Sequence, residues 1–305
     1  MRHIAMFIAS QKGWYSLKRA IEGGYAQKIK LVATFKEIDV EKSYDQEIMA
    51  LCREYEIPCY LWGEQIKESL LQTLIDLEID IAFAVSWRFL INTEVNQVIK
   101  YGLVVFHDSL LPKYRGFAPT PTAIMCGEDK VGVTAILAAD KVDEGDIILQ
   151  KEIPVGENDY ISDVIAKEAR ICGDMVVEIL QKAVDDSITP MKQDHSAATY
   201  SIWRNVEDCK IDWNKTSVEI RNMIRAVSSP YPGAYFFYQK RKVIVKSAEI
   251  MGEMNFAVRQ PGKIWQIVNN CPMVICGEGM LKIIDAEYED GSKVMFNRLR
   301  ENLNK

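Results

Sequence analysis

The sequence predicts an α/β fold: a Rossmann-like, mainly parallel sheet with helices on both faces, followed by a smaller, mostly β, barrel-like C-terminal domain. Three observations predict it. Short apolar β-type runs alternate with helix-spaced segments through the first half of the chain, the pattern of a parallel sheet wrapped by helices. The texture then changes near residue 187, where polar and small residues accumulate. Beyond them come closely spaced β-like runs separated by turn signals.

The runs 4–8, 31–35, 59–62, 79–85 and 103–106 read as strands, and 16–23, 44–55 and 67–77 carry helix-like apolar spacing. Strands at 131–137 and 147–153 bracket a charged loop, and the long pattern 161–183 closes the first domain as a helix. This organisation gives a first domain over 1–186, a linker over 187–204 and a mostly β domain over 205–305. The stretch 187–201 suits a linker because it holds polar and small residues with one proline. After 221–226 the β-like runs are 235–238, 243–245, 264–268, 273–276 and 281–288, with turns at Pro232-Gly233 and Gly277-Glu278-Gly279. There is no internal repeat and no low-complexity tract.

Composition narrows the function classes. A chain of 305 residues is long for one domain. The formal charge of −6 weighs against a large nucleic-acid substrate, since phosphate neutralisation needs a basic surface. Seven cysteines with no Cys-x-x-Cys pair suit neither a disulfide framework nor a zinc site, and fit a reducing compartment. The N-terminal run lacks the long apolar centre of a signal peptide, and no run approaches a membrane span. A soluble, cytoplasmic protein with no membrane association is the expectation. Oligomeric state stays open, a two-fold homodimer being the usual arrangement for soluble enzymes.

Two segments carry candidate chemistry. Of three histidines, only His107 lies at the C-terminal end of an apolar strand, where open α/β sheets place their ligand crevices. It leads into Asp108-Ser109-Leu110-Leu111-Pro112-Lys113-Tyr114-Arg115-Gly116. A hydrogen-bonded structural histidine is the competing reading. The second segment is the acidic loop Asp140-Lys141-Val142-Asp143-Glu144-Gly145-Asp146. One of its carboxylates could fix the tautomer of an imidazole; a solvated turn is the alternative. The carboxylates have no histidine at metal-ligand spacing and do not match an EF-hand, so no metal is expected.

His107 to Pro119, Gly132-Val133-Thr134 and Val142 to Gln150 together resemble the formyltransferase family, which includes methionyl-tRNA, glycinamide ribonucleotide and sugar N-formyltransferases. Ile211-Asp212-Trp213, Arg225-Ala226-Val227 and Pro230-Tyr231-Pro232-Gly233-Ala234 resemble the C-terminal domain of its two-domain members. The resemblance implies a formyl donor, 10-formyltetrahydrofolate, and a catalytic group of Asn, His and Asp, of which His107 and Asp143 fill the last two places. It implies donor contacts from Ser86, Trp87, Arg88, Leu90, Leu110, Leu111, Pro112 and Asp140, with ordinary strand-end packing as the alternative for 85–91, and a cis Leu111–Pro112 bond. Acceptor contacts are expected from Ser109, Lys113, Arg115, Trp203 and Arg204, with Trp203 stacking on a base and Arg204 pairing with phosphate. Packing between domains is the plainer role for Trp203.

One position departs from the family pattern. Two residues before the histidine, where the family has its asparagine, this chain has Val105. Either protonated His107 serves the developing oxyanion alone, or a neighbour such as Asp108 or Asn92 shares the task, or catalysis is lost and only binding remains. The acidic balance favours a small-molecule acceptor, a nucleotide-linked amino sugar, over an aminoacyl-tRNA. The most basic cluster, Lys240-Arg241-Lys242, reads as a solvated hairpin turn.

Overall fold

The apolar runs assemble into a seven-stranded sheet in the computed structural model, which describes residues 1–38, 42–299 and 301–304. In chain order the strands are β1 (His3–Ile8), β2 (Ile29–Thr34), β3 (Cys59–Leu61), β4 (Ile79–Val85), β5 (Leu103–His107), β7 (Lys130–Leu137) and β8 (Ile147–Pro154). Their spatial order is β3-β2-β1-β4-β5-β7-β8. The first five are mutually parallel, and β7 and β8 add an antiparallel hairpin beyond β5. The order reverses between β1 and β4, which makes the C-terminal ends of those strands the topological switch point.

Alternation along β1 divides the core between two faces. Ala5 and Phe7 pack with Leu70 and Leu74 of α3 (Glu64–Asp76) and with Val95 and Ile99, which belong to or follow α4 (Val95–Val98). On the opposite side, α1 (Ser10–Ala20) approaches so closely that a Cβ on Gly13 would lie 2.9 Å from the Ile8 side chain. Gly173 of α6 (Ile161–Val184) likewise lets that helix lie against Tyr15 and Arg19 of α1. The expected helix 16–23 starts earlier, at Ser10, because its first turn, Ser10-Gln11-Lys12-Gly13, carries no apolar signal. Tyr44–Tyr55 contains α2 (Asp45–Glu54).

The chain forms two compact units. The first comprises Met1–Pro119, Lys130–Pro154 and Asp163–Ile202; the second comprises Thr120–Asp129, Val155–Ser162 and Trp203–Lys305. The segment expected as a linker is, up to Ile202, part of the first unit. Its backbone is paired there: Met191 bridges Ile147, and β9 (Tyr200–Ser201) lies parallel to β6 (Arg115–Gly116). Its polar composition supplies buried hydrogen bonds as well as solvated surface.

In the second unit, α7 (Ser217–Ala226) begins with a capping box between Thr216 and Glu219. Five antiparallel strands follow: β10 (Ala234–Tyr238), β11 (Arg241–Met251), β12 (Ile264–Val268), β13 (Cys271–Ile275) and β14 (Met280–Tyr288), ordered β10-β11-β14-β13-β12. The run expected at 243–245 extends to eleven residues, since polar positions alternate outward and irregularities near Ser247 bend the strand. Trp213 is fully buried, 5.8 Å edge-on from Phe236. The helix between α4 and α6, α5 (Pro119–Met125), begins at the boundary of the two units. No described helix is long and apolar enough to cross a membrane.

Candidate active site

His107 ends β5, one strand from the switch point, with its side chain about nine-tenths buried. Nδ1 lies 3.3 Å from Asp143 Oδ1, and Nε2 lies 2.8 Å from the backbone carbonyl of Tyr114. A carbonyl and an ionised carboxylate both only accept hydrogen bonds. Only a ring with a hydrogen on both nitrogens can donate to both partners at once.

Asp143 is placed by backbone geometry. It sits in the left-handed region, φ 58°, and its second oxygen accepts from the backbone N–H of Gly116 at 2.8 Å. Two residues on, Gly145 packs flat against the backbone of β7, where a Cβ would lie 1.7 Å from the Leu137 carbonyl. Only glycine allows that turn. The loop is also held from the segment read as a linker. Gln193 donates to the carbonyls of Asp143 and Gly145, and its own carbonyl oxygen accepts from Arg115 Nη2 at 2.7 Å. The same guanidinium pairs with Glu144 and contacts His195 Nδ1.

The loop 109–112 is fixed by Thr134 on β7. Its hydroxyl donates to the Ser109 carbonyl at 2.6 Å and accepts from the Leu111 N–H and from Gln150 Nε2. Gln150, opposite Thr134 in the β7–β8 register, also donates to the Leu111 carbonyl. The Leu111–Pro112 bond is cis.

The expected donor-side residues fall on three segments, two of them joined by a hydrogen bond. Trp87 joins Phe7, Phe35, Trp62 and Phe89 in an edge-to-face cluster, and its indole N–H is buried without a hydrogen-bond partner among the described residues. Ser86 is left-handed at φ 53°, Leu90 is 87 % exposed, and half-exposed Arg88 pairs with buried Glu37. Thr93 donates to Asp140 at 2.7 Å, tying the start of the acidic loop to the segment after β4. Leu111 is buried, while Leu110 and Pro112 are half-buried.

The expected acceptor-side residues are less uniform. Ser109 is buried and donates to the Lys113 carbonyl at 2.6 Å, so its hydroxyl closes the loop on itself. Arg115 is 2 % exposed and braces the Asp143 loop from within. Lys113 is exposed. Trp203, an exposed indole, and Arg204, which donates to Thr122 Oγ1 at 3.0 Å, belong to the second unit.

Val105 shares the His107 face of β5 and packs, half-buried, on the core that includes Phe7. Asp108 is bonded to Lys12 and, as a carboxylate, offers no proton to an oxyanion. Asn92 is exposed, its carbonyl oxygen accepting from Glu94 N–H at 3.0 Å. Sequence reading missed Gln193, Lys12 and Glu168, and gave no role to Thr134 or Gln150. The last two face each other only because the β7–β8 register shifts between Ala135 and Ile136, which counting outward from the turn does not reveal.

The first unit is thus an open α/β sheet with a histidine–aspartate pair beyond a parallel strand. The chain belongs to the formyl transferase family: residues 2–180 match the formyl transferase domain and residues 205–300 the formyl transferase C-terminal domain. A methionyl-tRNA formyltransferase of Caldanaerobacter subterraneus is 30% identical over 288 residues, covering 92% of this chain and 90% of the relative. Two solved structures share the fold. A sugar 3N-formyl transferase solved with dTDP and 5-N-formyl-THF has a TM-score of 0.67 at 21% identity, covering 95% of this chain and 98% of that one. The N-formyltransferase of Helicobacter canadensis, in complex with folinic acid and dTDP-3-aminofucose, has a TM-score of 0.69 at 19% identity, covering 93% and 99%. The protein is a formyltransferase.

Proposed function

We propose that this enzyme transfers a formyl group from 10-formyltetrahydrofolate to the amine of a nucleotide-linked amino sugar. The His107–Asp143 pair carries the chemistry of that reading. When bound, the folate supplies the formyl carbon, which gains a bond to the acceptor nitrogen and loses its bond to N10, while one proton passes from the acceptor nitrogen to N10. The pocket walls fit such a donor. Phe89 and Leu90 offer apolar surface, the Trp87 indole N–H is a buried donor without a hydrogen-bond partner among the described residues, and Thr93 bonds Asp140.

His107 contributes a fixed positive charge where the formyl oxygen becomes negative. Asp143 keeps that charge in place through Nδ1. For Nε2–H to reach the formyl oxygen it exchanges the Tyr114 carbonyl for the substrate. This arrangement asks nothing of Val105, which can donate nothing.

For the acceptor, the net charge of −6 disfavours a polyanionic RNA, and the exposed indole of Trp203 is of a type on which a nucleotide base stacks. The structural relatives solved with dTDP or a dTDP-sugar agree with this choice. Methionyl-tRNA is the second reading, favoured by the 30% identity to such an enzyme along nearly the whole chain. A third, a binder of folate or sugar nucleotide without turnover, rests on Val105 alone.

Thermal stabilisation by dTDP or UDP together with folinic acid, and formylation of a nucleotide-linked amino sugar, test the proposal. Salt-sensitive retention of tRNA with no nucleotide effect would transfer the choice to the tRNA reading. His107→Ala should lower turnover by about 10²–10⁴-fold. Unchanged turnover in that variant would remove His107 from the mechanism.

A further inference from the structure

Lys12, in the first turn of α1, brings its ammonium against two carboxylates from distant parts of the first unit. Asp108, the residue after His107, is in direct contact, and Glu168 of α6 lies 3.2 Å away. The three side chains are 11%, 28% and 0% exposed respectively. Burial opposes the charge on Lys12, but Asp108 and then Glu168 more than offset it, holding the ammonium above lysine's ordinary value. The other titratable groups near it are Cys172 of α6, whose thiol burial pushes far up, and Glu37 beyond β2, itself paired with Arg88.

The backbone beneath Lys12 is held as firmly. Ser10 adopts φ 59°, accepts from the Lys12 N–H at 3.3 Å and donates to Ser86 Oγ at 2.8 Å. Ser86, at the end of β4, is also left-handed. Two non-glycine residues in that region, side by side at the switch point, mark a place where the fold overrides local preference.

We propose that Lys12 is a positioning residue for His107, clamping the end of β5 to α6 through Asp108. Two carboxylates this close repel unless a cation stands between them. With Lys12 in place, Asp108 becomes the anchor of the chain where it leaves β5. His107 is gripped by Asp143 and Tyr114, and Asp108 by Lys12. Successive residues thus have separate partners, and the imidazole is held through its backbone as well as its ring.

The test uses ring N–H signals of protein labelled with ¹⁵N-histidine, in which His107 has only two other histidines to be resolved from. Glu168→Gln is the reference, because the Lys12–Asp108 pair remains and no buried carboxylate is stranded when Lys12 is then removed. Relative to it, Lys12→Met/Glu168→Gln should exchange the His107 ring protons at least about tenfold faster. Its kcat should fall about 10–100-fold with KM within about threefold, the signature of misplacement rather than lost binding. Lys12→Arg, which keeps the cation, should restore slow exchange.

A folded double variant with unchanged exchange and kcat would overturn the proposal, as would a rise in KM at constant kcat. Should the double variant not fold, Asp108→Asn decides: exchange and kcat equal to those of the reference would equally overturn it. The kcat measurement rests on the formyl-transfer reading and the exchange measurement does not. Faster exchange with no turnover in any variant, wild type included, therefore upholds the clamp and faults the acceptor.

Discussion

The side-chain amide of Gln193 donates to the backbone carbonyl of Asp143 at 2.9 Å and to that of Gly145 at 2.7 Å. A residue 50 positions along the chain thus holds the loop that presents the aspartate to His107. Gln193 is buried and also anchors Arg115, so two buried side chains together hold the Asp143 loop.

Replacing Gln193 with Leu keeps the volume and removes both of these bonds together with the one accepted from Arg115. Two carbonyls lose their partner, for a stability loss of about 1–3 kcal/mol in denaturant unfolding. Turnover should fall about 10–100-fold, since a shift of Asp143 by an ångström misorients the imidazole. A variant that loses stability but not turnover would show that the loop keeps its place without Gln193.

Thr134→Val tests the lock on the 109–112 loop. The hydroxyl bridges Ser109, Leu111 and Gln150, and an isosteric methyl cannot. Unfolding free energy should drop by about 1–3 kcal/mol. The KM for the folate donor should rise with little change in kcat, if the loop lines the donor pocket. A change in kcat alone would argue that the loop serves the reacting atoms instead.

Glu37 gives a pH prediction. Burial pushes its carboxyl above the ordinary glutamate value, with Arg88 and Lys12 opposing that rise. A carboxyl raised in the folded state binds its proton more tightly there than in the unfolded chain. Its stabilising contribution is therefore greatest at acid pH and is lost as pH climbs from the ordinary value through the raised one. Glu37→Gln removes this titration. The Tm of wild type minus that of the variant should fall as pH rises from the ordinary glutamate value toward neutrality. A flat difference across that window would place the ionisation elsewhere.

Val105→Asn examines the departure from the family pattern. The side chain packs on the core, so an amide there should lower stability by about 1–3 kcal/mol through incomplete hydrogen bonding. If His107 serves the oxyanion alone, turnover should stay within about tenfold of wild type. A gain approaching 10²–10³ would show that the present site runs short of an oxyanion donor.

The sheet was legible because strand runs such as Ile79–Val85 are apolar on both sides and bounded by turns, a signal carried by neighbours in the chain. His107 and Asp143 were legible for a related reason: each sits at a strand end or in a loop whose residue types and spacing match a family pattern. The roles of Ser109 and Arg115 were not. Both carry groups that could meet substrate, and whether a polar group faces ligand or interior depends on what folds over it. Thr134 and Gln150 could be read only once the β7–β8 hairpin was given a register.

What the sequence by itself determined is the α/β frame, the parallel strand that ends at His107, the acidic loop that holds Asp143, and the missing amide at Val105. Each depends on local order: apolar period, turn chemistry, spacing. Tertiary structure alone decided that Gln193 braces Asp143, that Arg115 is an internal strut, and that Lys12 joins Asp108 to Glu168. The Gln193–Asp143 and Lys12–Glu168 contacts link residues 50 and 156 positions apart. A buried polar side chain takes whichever partner the packed segments bring to it, and no periodicity along the chain records that choice.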